Sequence, residues 1–233
     1  MDLEIEIIQL KRFRNLAILC IILAVATNEI SHVYRLLPPQ PLIAGILVLV
    51  LGIYFLYTDS RLKAEAERKR KGSEGEKSVG EILDRLKKPG VRVFHDLAFD
   101  YNMGNIDHVI LSRQGIFVIE TKYVSKRGNQ SISSDGKAVF GYSKNPDSAA
   151  IKQAVRNARD LQIYLKNKTE TQFPVKPIVV YPGWLVKPYY GDIWVLNPKY
   201  INWAINREPE IISETDYAVA ESWISDLAKS YSS

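Results

Sequence analysis

The chain has 233 residues, one cysteine (Cys20) and three histidines. That length allows one domain with an appendage, and the cysteine and histidine counts exclude an intramolecular disulfide and disfavour a structural zinc centre, so any metal should be held by oxygen. The formal net charge is +5, but residues 1–71 carry ten Lys+Arg against seven Asp+Glu, and residues 72–233 carry 21 against 19, so overall basicity says little about a nucleic-acid partner.

Two apolar runs come first, Leu16 to Thr27 and Leu42 to Tyr57. A spanning helix needs about 20 residues, which predicts a membrane hairpin over residues 1–60, with spans at about 13–30 and 39–59. Lys11, Arg12 and Arg14 precede the first run, six basic residues from Arg61 to Lys71 follow the second, and only Arg35 lies between. Basic residues stay on the cytoplasmic side. The expected location is therefore the cell membrane, with two spans and both termini and the soluble domain in the cytoplasm. The rival, a signal peptide at 11–27, is disfavoured because a second apolar run follows directly.

Residues 61–73 read as a basic juxtamembrane linker that breaks at Gly72-Ser73. Ser73 is then expected to N-cap a helix, with Glu76 as its capping-box partner and Val79, Ile82, Leu83 and Leu86 as the apolar stripe. Pro89-Gly90 ends it. Strands are expected at Val91 to Leu97, Ile106 to Leu111, Ile116 to Ile119, Val175 to Tyr181 and Ile193 to Leu196, with a small hairpin around Asp135-Gly136. A helix should open at Asn145-Pro146 and run to about Asn167. Pro198 to Asn206 and Glu214 to Ser230 read as helical. The order α, β, β, β, α, β predicts an α/β fold with a central mixed sheet flanked by helices.

The hairpin at 105–122 carries the chemistry. A turn at Gln114-Gly115 puts Asp107 opposite Lys122; a turn at Arg113-Gln114 puts it opposite Glu120. Side chains alternate with period two, so either register leaves Asp107, Glu120 and Lys122 on one face. Ile106, His108, Ile110, Phe117, Ile119 and Thr121 take the other. Charge in so apolar a hairpin is costly unless compensated, and either a divalent cation or a salt bridge to Lys122 would compensate it. His108 faces away from the carboxylates and reads as structural, and His95 has no partner at metal spacing.

With Gly75-Glu76, Gly104-Asn-Ile-Asp-His-Val109, Gly115-Ile-Phe-Val-Ile-Glu-Thr-Lys122, Asn145-Pro146, Gln153 and Asn157 in this order, residues 72–182 resemble the nuclease-related domain (NERD) family of the PD-(D/E)xK nuclease-like superfamily. Ile106 stands where the proline of that motif would be, and the gap from Asn145-Pro146 to Gln153 is long for the family. The resemblance implies a restriction-endonuclease-like αβββαβ core at 74–182, extended by a strand and helices over 183–233. It also implies Mg²⁺ or Mn²⁺ held by Asp107 and Glu120, with the Thr121 carbonyl and Glu76 as further ligands. Lys122 would steady the attacking hydroxide, and Gln153 would belong to the catalytic set. Glu76 competes with its capping-box role, and Glu74 is the alternative helix carboxylate.

Asn157, Lys152 and Arg156 are the expected substrate contacts. Lys126, Arg127, Lys144 and Arg159 either track a phosphate backbone or form solvated faces. The expected function is thus a membrane-anchored, metal-dependent nuclease acting on DNA or RNA. The alternative is a non-catalytic, membrane-tethered nucleic-acid- or protein-binding module that keeps the fold.

Overall fold

A computed structural model describes residues 41–98, 105–125 and 130–229, together with residues 15, 18, 19 and 22. Contacts divide the chain into two units, 1–69 and 70–233.

Helix α1 runs from Pro41 to Asp84. Within the first unit its polar stretch carries the ion pairs Asp59–Lys63 at 2.8 Å and Glu65–Lys69 at 3.3 Å. Both place the acid four residues before the base, the favourable order along a helix. Among the described residues no helix is long and apolar enough to cross a membrane, so the expected span at 39–59 finds no support as a span. The span expected at 13–30 lies outside the described residues except at four positions.

The expected break at Gly72-Ser73 is absent. The helix passes through both residues, and Arg70 bridges them by pairing with Glu74 at 2.8 Å. A helical glycine costs about 1 kcal/mol, too little to end a helix whose following turns bury Val79 and Leu83 against the sheet. Ser73 is therefore not an N-cap, and no capping box forms with Glu76.

In the second unit the main sheet contains β1 (Val91–Leu97), β2 (Ile106–Ser112), β3 (Gly115–Thr121), β6 (Val175–Val180), β8 (Tyr189–Tyr190) and β9 (Trp194–Leu196), in the order β1-β2-β3-β6-β9-β8. Strands β1, β2 and β3 are antiparallel neighbours; β3, β6 and β9 run parallel, and β8 closes the edge antiparallel. A second sheet, in the order β5-β4-β7, is built from β4 (Ser131–Ser134), β5 (Val139–Phe140) and β7 (Leu185–Val186). The Asp135-Gly136 turn forms as expected, with the Asp135 carboxylate accepting from the Lys137 and Ala138 amides at 2.8 Å.

Helix α2 starts at Ala149, later than the Asn145-Pro146 signal suggests, and ends at Thr169. Asp147 delays it. Its backbone pairs both ways with Val139, and its carboxylate accepts from the Ala149 amide at 2.8 Å. A 3₁₀ turn, Pro198–Tyr200, leads into the short α3, Ile201–Ile205. Helix α4, Glu214–Lys229, opens on a box the sequence reading missed. The Asp216 amide donates to Ser213 Oγ at 3.0 Å, and Ser213 Oγ donates to the Asp216 carboxylate at 2.7 Å.

The sheet is covered on both faces, as near-continuous apolar strands require. Val109, Leu111, Ile116 and Val118 pack with Ala158, Leu161 and Leu165 of α2 and Ile224 of α4. Ile110, Phe117, Ile119 and Ile178 pack with Val79 and Leu83 of α1 and Ala204 of α3. Strict alternation fails at one place. Ile106 joins Leu97 in the α2 cluster rather than the α1 cluster, next to Asp96, whose φ of 52° breaks the extended run.

Candidate metal and phosphate site

The strand pairing resolves the choice of register. Ser112 pairs with Gly115 and His108 with Ile119, the last pair of the ladder, so the turn is Arg113-Gln114, and the same register carried one residue further sets Asp107 against Glu120. At that end the ladder gives way to a side-chain contact. The Thr121 amide donates to Asp107 Oδ2 at 2.7 Å. Strand β3 meanwhile stays locked to β6, Glu120 beside Val179 and Thr121 beside Val180, and the Lys122 amide donates to the Val180 carbonyl at 2.9 Å. Asp107 is thus held by one strand, and Glu120 sits in the middle of the sheet.

Glu120 is only 6% exposed, and its Oε2 is buried with no hydrogen-bond partner. Burial is the largest cause raising its pKa, to about 8, followed by the charge of Asp107; Lys122 and Arg156 pull it down. Asp107 is also raised, to about 7, by burial and by the charges of Glu76 and Asp96, against the Thr121 hydrogen bond. Buried carboxylates that repel one another hold protons until a cation arrives.

Glu76 approaches from α1, and burial together with the charge of Asp96 raises its pKa as well. The close approach has a residue-level cause. A Cβ on Gly75 would lie 3.0 Å from atoms of the Tyr123 side chain, so glycine lets this turn of α1 sit against the segment just past Lys122. With its capping role gone, Glu76 is free for the site. It lines a cavity of about 430 Å³ with Ser73, Lys77, Asp96, His95 and His108 among others.

Two histidines meet beside that cavity. His95 Nδ1 and His108 Nδ1 are 2.9 Å apart, and His95 Nε2 lies 2.8 Å from Asp84 Oδ1. His95 therefore has partners that sequence spacing did not disclose. Burial, followed by the charge of His95, lowers the His108 pKa to about 4, so His108 is neutral at pH 7. The Glu76 carbonyl favours a proton on that ring, although Nε2 forms no hydrogen bond of acceptable geometry.

On α2, Arg156 is exposed yet close enough for its charge to act on Glu120. Lys152 is exposed, and Gln153 is half-buried with no hydrogen bond to the carboxylates. Asn157 is 2% exposed and donates to the Asn105 carbonyl at 3.3 Å, which turns it from a surface contact into a tie between α2 and the start of β2. Lys126 and Arg127 lie outside the described residues. Asp96 is the residue sequence reasoning missed. Pairing β1 on β2 puts it level with Asp107, a relation visible only once that register is known.

Among the described residues no group of three or more His, Cys, Asp or Glu side chains stands close enough to hold a metal ion. A carboxylate pair suffices for Mg²⁺, which keeps several waters and binds through one or two carboxylates plus substrate phosphate. The unpartnered Glu120 Oε2, the mutually raised carboxylates and the all-oxygen donors fit such a cation.

Residues 71–182 match the nuclease-related domain, NERD. Neither a curated protein nor a solved structure matches the chain.

Proposed function

We propose that the segment similar to the nuclease-related domain is a divalent-metal-dependent phosphodiesterase acting on nucleic acid, in a restriction-endonuclease-like αβββαβ core. The observation that carries this is Glu120, a buried carboxylate with one oxygen unpartnered, opposite Asp107 and two residues before Lys122. Mg²⁺ or Mn²⁺ on Asp107 and Glu120, with the Thr121 carbonyl as a further ligand and Glu76 reaching it through a water, would lower the pKa of a bound water and offset phosphate charge.

The protein's own groups supply the rest. The Thr121 amide fixes the orientation of Asp107. Lys122, whose charge already acts on Glu120, steadies the attacking hydroxide and offsets charge developing on phosphate. Arg156 holds a phosphate at the mouth of the site, and Gln153 positions water from the same helix. The test is cleavage of labelled DNA and RNA by the purified full chain with Mg²⁺, Mn²⁺ or EDTA. Metal-dependent cleavage, lost in folded Asp107→Ala and Lys122→Ala proteins, supports the reading. Absence of cleavage with either metal on every substrate overturns it in favour of the non-catalytic binding module.

The apolar runs at 13–30 and 39–59 and their basic flanks support a membrane anchor with the catalytic domain in the cytoplasm. Release of the protein from membranes by alkaline carbonate would refute it.

A further inference from the structure

Helix α2 presents a basic ladder that the metal site alone does not require. Lys152, Arg156 and Arg159 are all exposed. Spaced four and three residues apart, they share one helix face and rise about 6 Å and then about 4.5 Å along the axis. They line a cavity of about 590 Å³ that Gly136 and Lys137, from the β4–β5 turn, close on the other side. Asp160 is the one acid on that lining.

None of the four cations forms an ion pair with a described residue. Four exposed cations against Asp160 on the lining and Asp135 beside Lys137 leave the groove net positive, which attracts an anion. The ladder also runs toward the candidate site, because Arg156 adjoins Asn157, which ties α2 to the Asn105 carbonyl two residues before Asp107. Between the cations the lining is apolar, with Val155 and Ile163 each 45% exposed. A small inorganic anion has no use for those side chains, whereas the sugars and bases of a polynucleotide do.

We infer that the groove between α2 and the Gly136-Lys137 turn is the track for a nucleic-acid strand, its phosphates on Lys137, Lys152, Arg156 and Arg159 and its sugars against Val155 and Ile163. This rests on the nuclease reading above and adds the path by which substrate enters. It assigns work to Lys137 and Arg159, which sit outside the metal site, and it gives the inserted β4–β5 hairpin a function as the far wall. Each strand phosphate neutralised releases counterions, so the track fixes a salt dependence.

The test is fluorescence anisotropy of the full chain in EDTA, so that binding is read without cleavage. The probes are labelled single-stranded DNA, single-stranded RNA and duplex DNA, with unlabelled heparin as a polyanion that lacks bases. The variant is Lys137→Ala/Lys152→Ala/Arg156→Ala/Arg159→Ala. Its charge-matched control is Arg85→Ala/Lys88→Ala/Lys199→Ala/Arg207→Ala, four exposed cations in the turns that follow α1 and flank α3, helices packed on the opposite face of the sheet. Melting curves confirm folding.

The expected result is at least a tenfold affinity loss in the four-site variant and none in the control. The slope of log affinity against log salt should fall by roughly 0.7 for each cation removed on a single strand. The DNA and RNA arms identify the strand. Unchanged affinity and slope in the folded variant, or heparin competing as well as nucleic acid at equal charge, would overturn the track. Binding through the groove without cleavage under any metal would sink the catalytic reading and leave the track standing; cleavage unaffected by the four substitutions would do the reverse.

Discussion

Replacing Glu120 by Gln should stabilise the metal-free protein, and by an amount that depends on pH. In the fold the Glu120 pKa is pushed up to about 8 from an ordinary 4.5, so between those values the folded state binds more protons than the unfolded one. Stability then falls as pH rises through the window. Each unit is worth about 1.4 kcal/mol, but the penalty is shared with Asp107, since the two titrate as a pair. A Gln amide also brings donors that find no acceptor, at about 1 kcal/mol. The net gain expected near pH 8 is about 2 kcal/mol, shrinking to nothing or reversing near pH 4.5.

For a unit of this size about 2 kcal/mol corresponds to a rise in melting temperature of roughly 4–8 °C. All four tryptophans, Trp184, Trp194, Trp203 and Trp223, lie in residues 70–233. Thermal melts followed by tryptophan fluorescence in EDTA, from pH 5 to pH 9, therefore report the unit that holds the site. A Gln variant no more stable than wild type at pH 8, or one whose gain is equal at pH 5 and pH 8, would refute the claim that Glu120 is an uncompensated buried carboxylate.

Two further substitutions test the local fold. At Gly141, φ is 106° and a Cβ would meet the Ser131 carbonyl oxygen at 2.0 Å, so Gly141→Ala should lower stability by roughly 2 kcal/mol or more; a urea midpoint equal to that of wild type would contradict the second sheet as described. The two serines make a matched pair. Ser213→Ala should cost about 1 kcal/mol through loss of the α4 cap, while Ser73→Ala, in the middle of α1, should cost nothing measurable in the same urea titration. Equal losses at both positions would restore the capping box at Ser73.

The hairpin was legible because period-two alternation holds from His108 to Ile119, where both faces are buried, and fails only at Ile106. Asp107, Glu120 and Lys122 converge from parity alone, and the pairing of Ser112 with Gly115 only chose between two registers that agreed on the face. The break at Gly72-Ser73 was misread because local propensity weighs little against burial of Val79 and Leu83 and an Arg70–Glu74 pair across the gap. Asp96 and the His95–His108 contact escaped because both depend on how β1 pairs with β2, across an eight-residue connection (98–105) too long for a tight turn to fix the register. Asn157 looked like a surface partner of Gln153 because both sit on α2, but one position of the four-residue step faces the core.

The central claim is that Asp107 and Glu120 hold a divalent cation. Anomalous diffraction from crystals of the protein soaked in Mn²⁺ tests it most directly. The account predicts a single strong anomalous peak between the Asp107 and Glu120 carboxylates, within ligand reach of the Thr121 carbonyl, and none in a Glu120→Gln crystal treated alike. A peak at Asp84 and His95 instead, or no peak with both carboxylates unchanged, would contradict it.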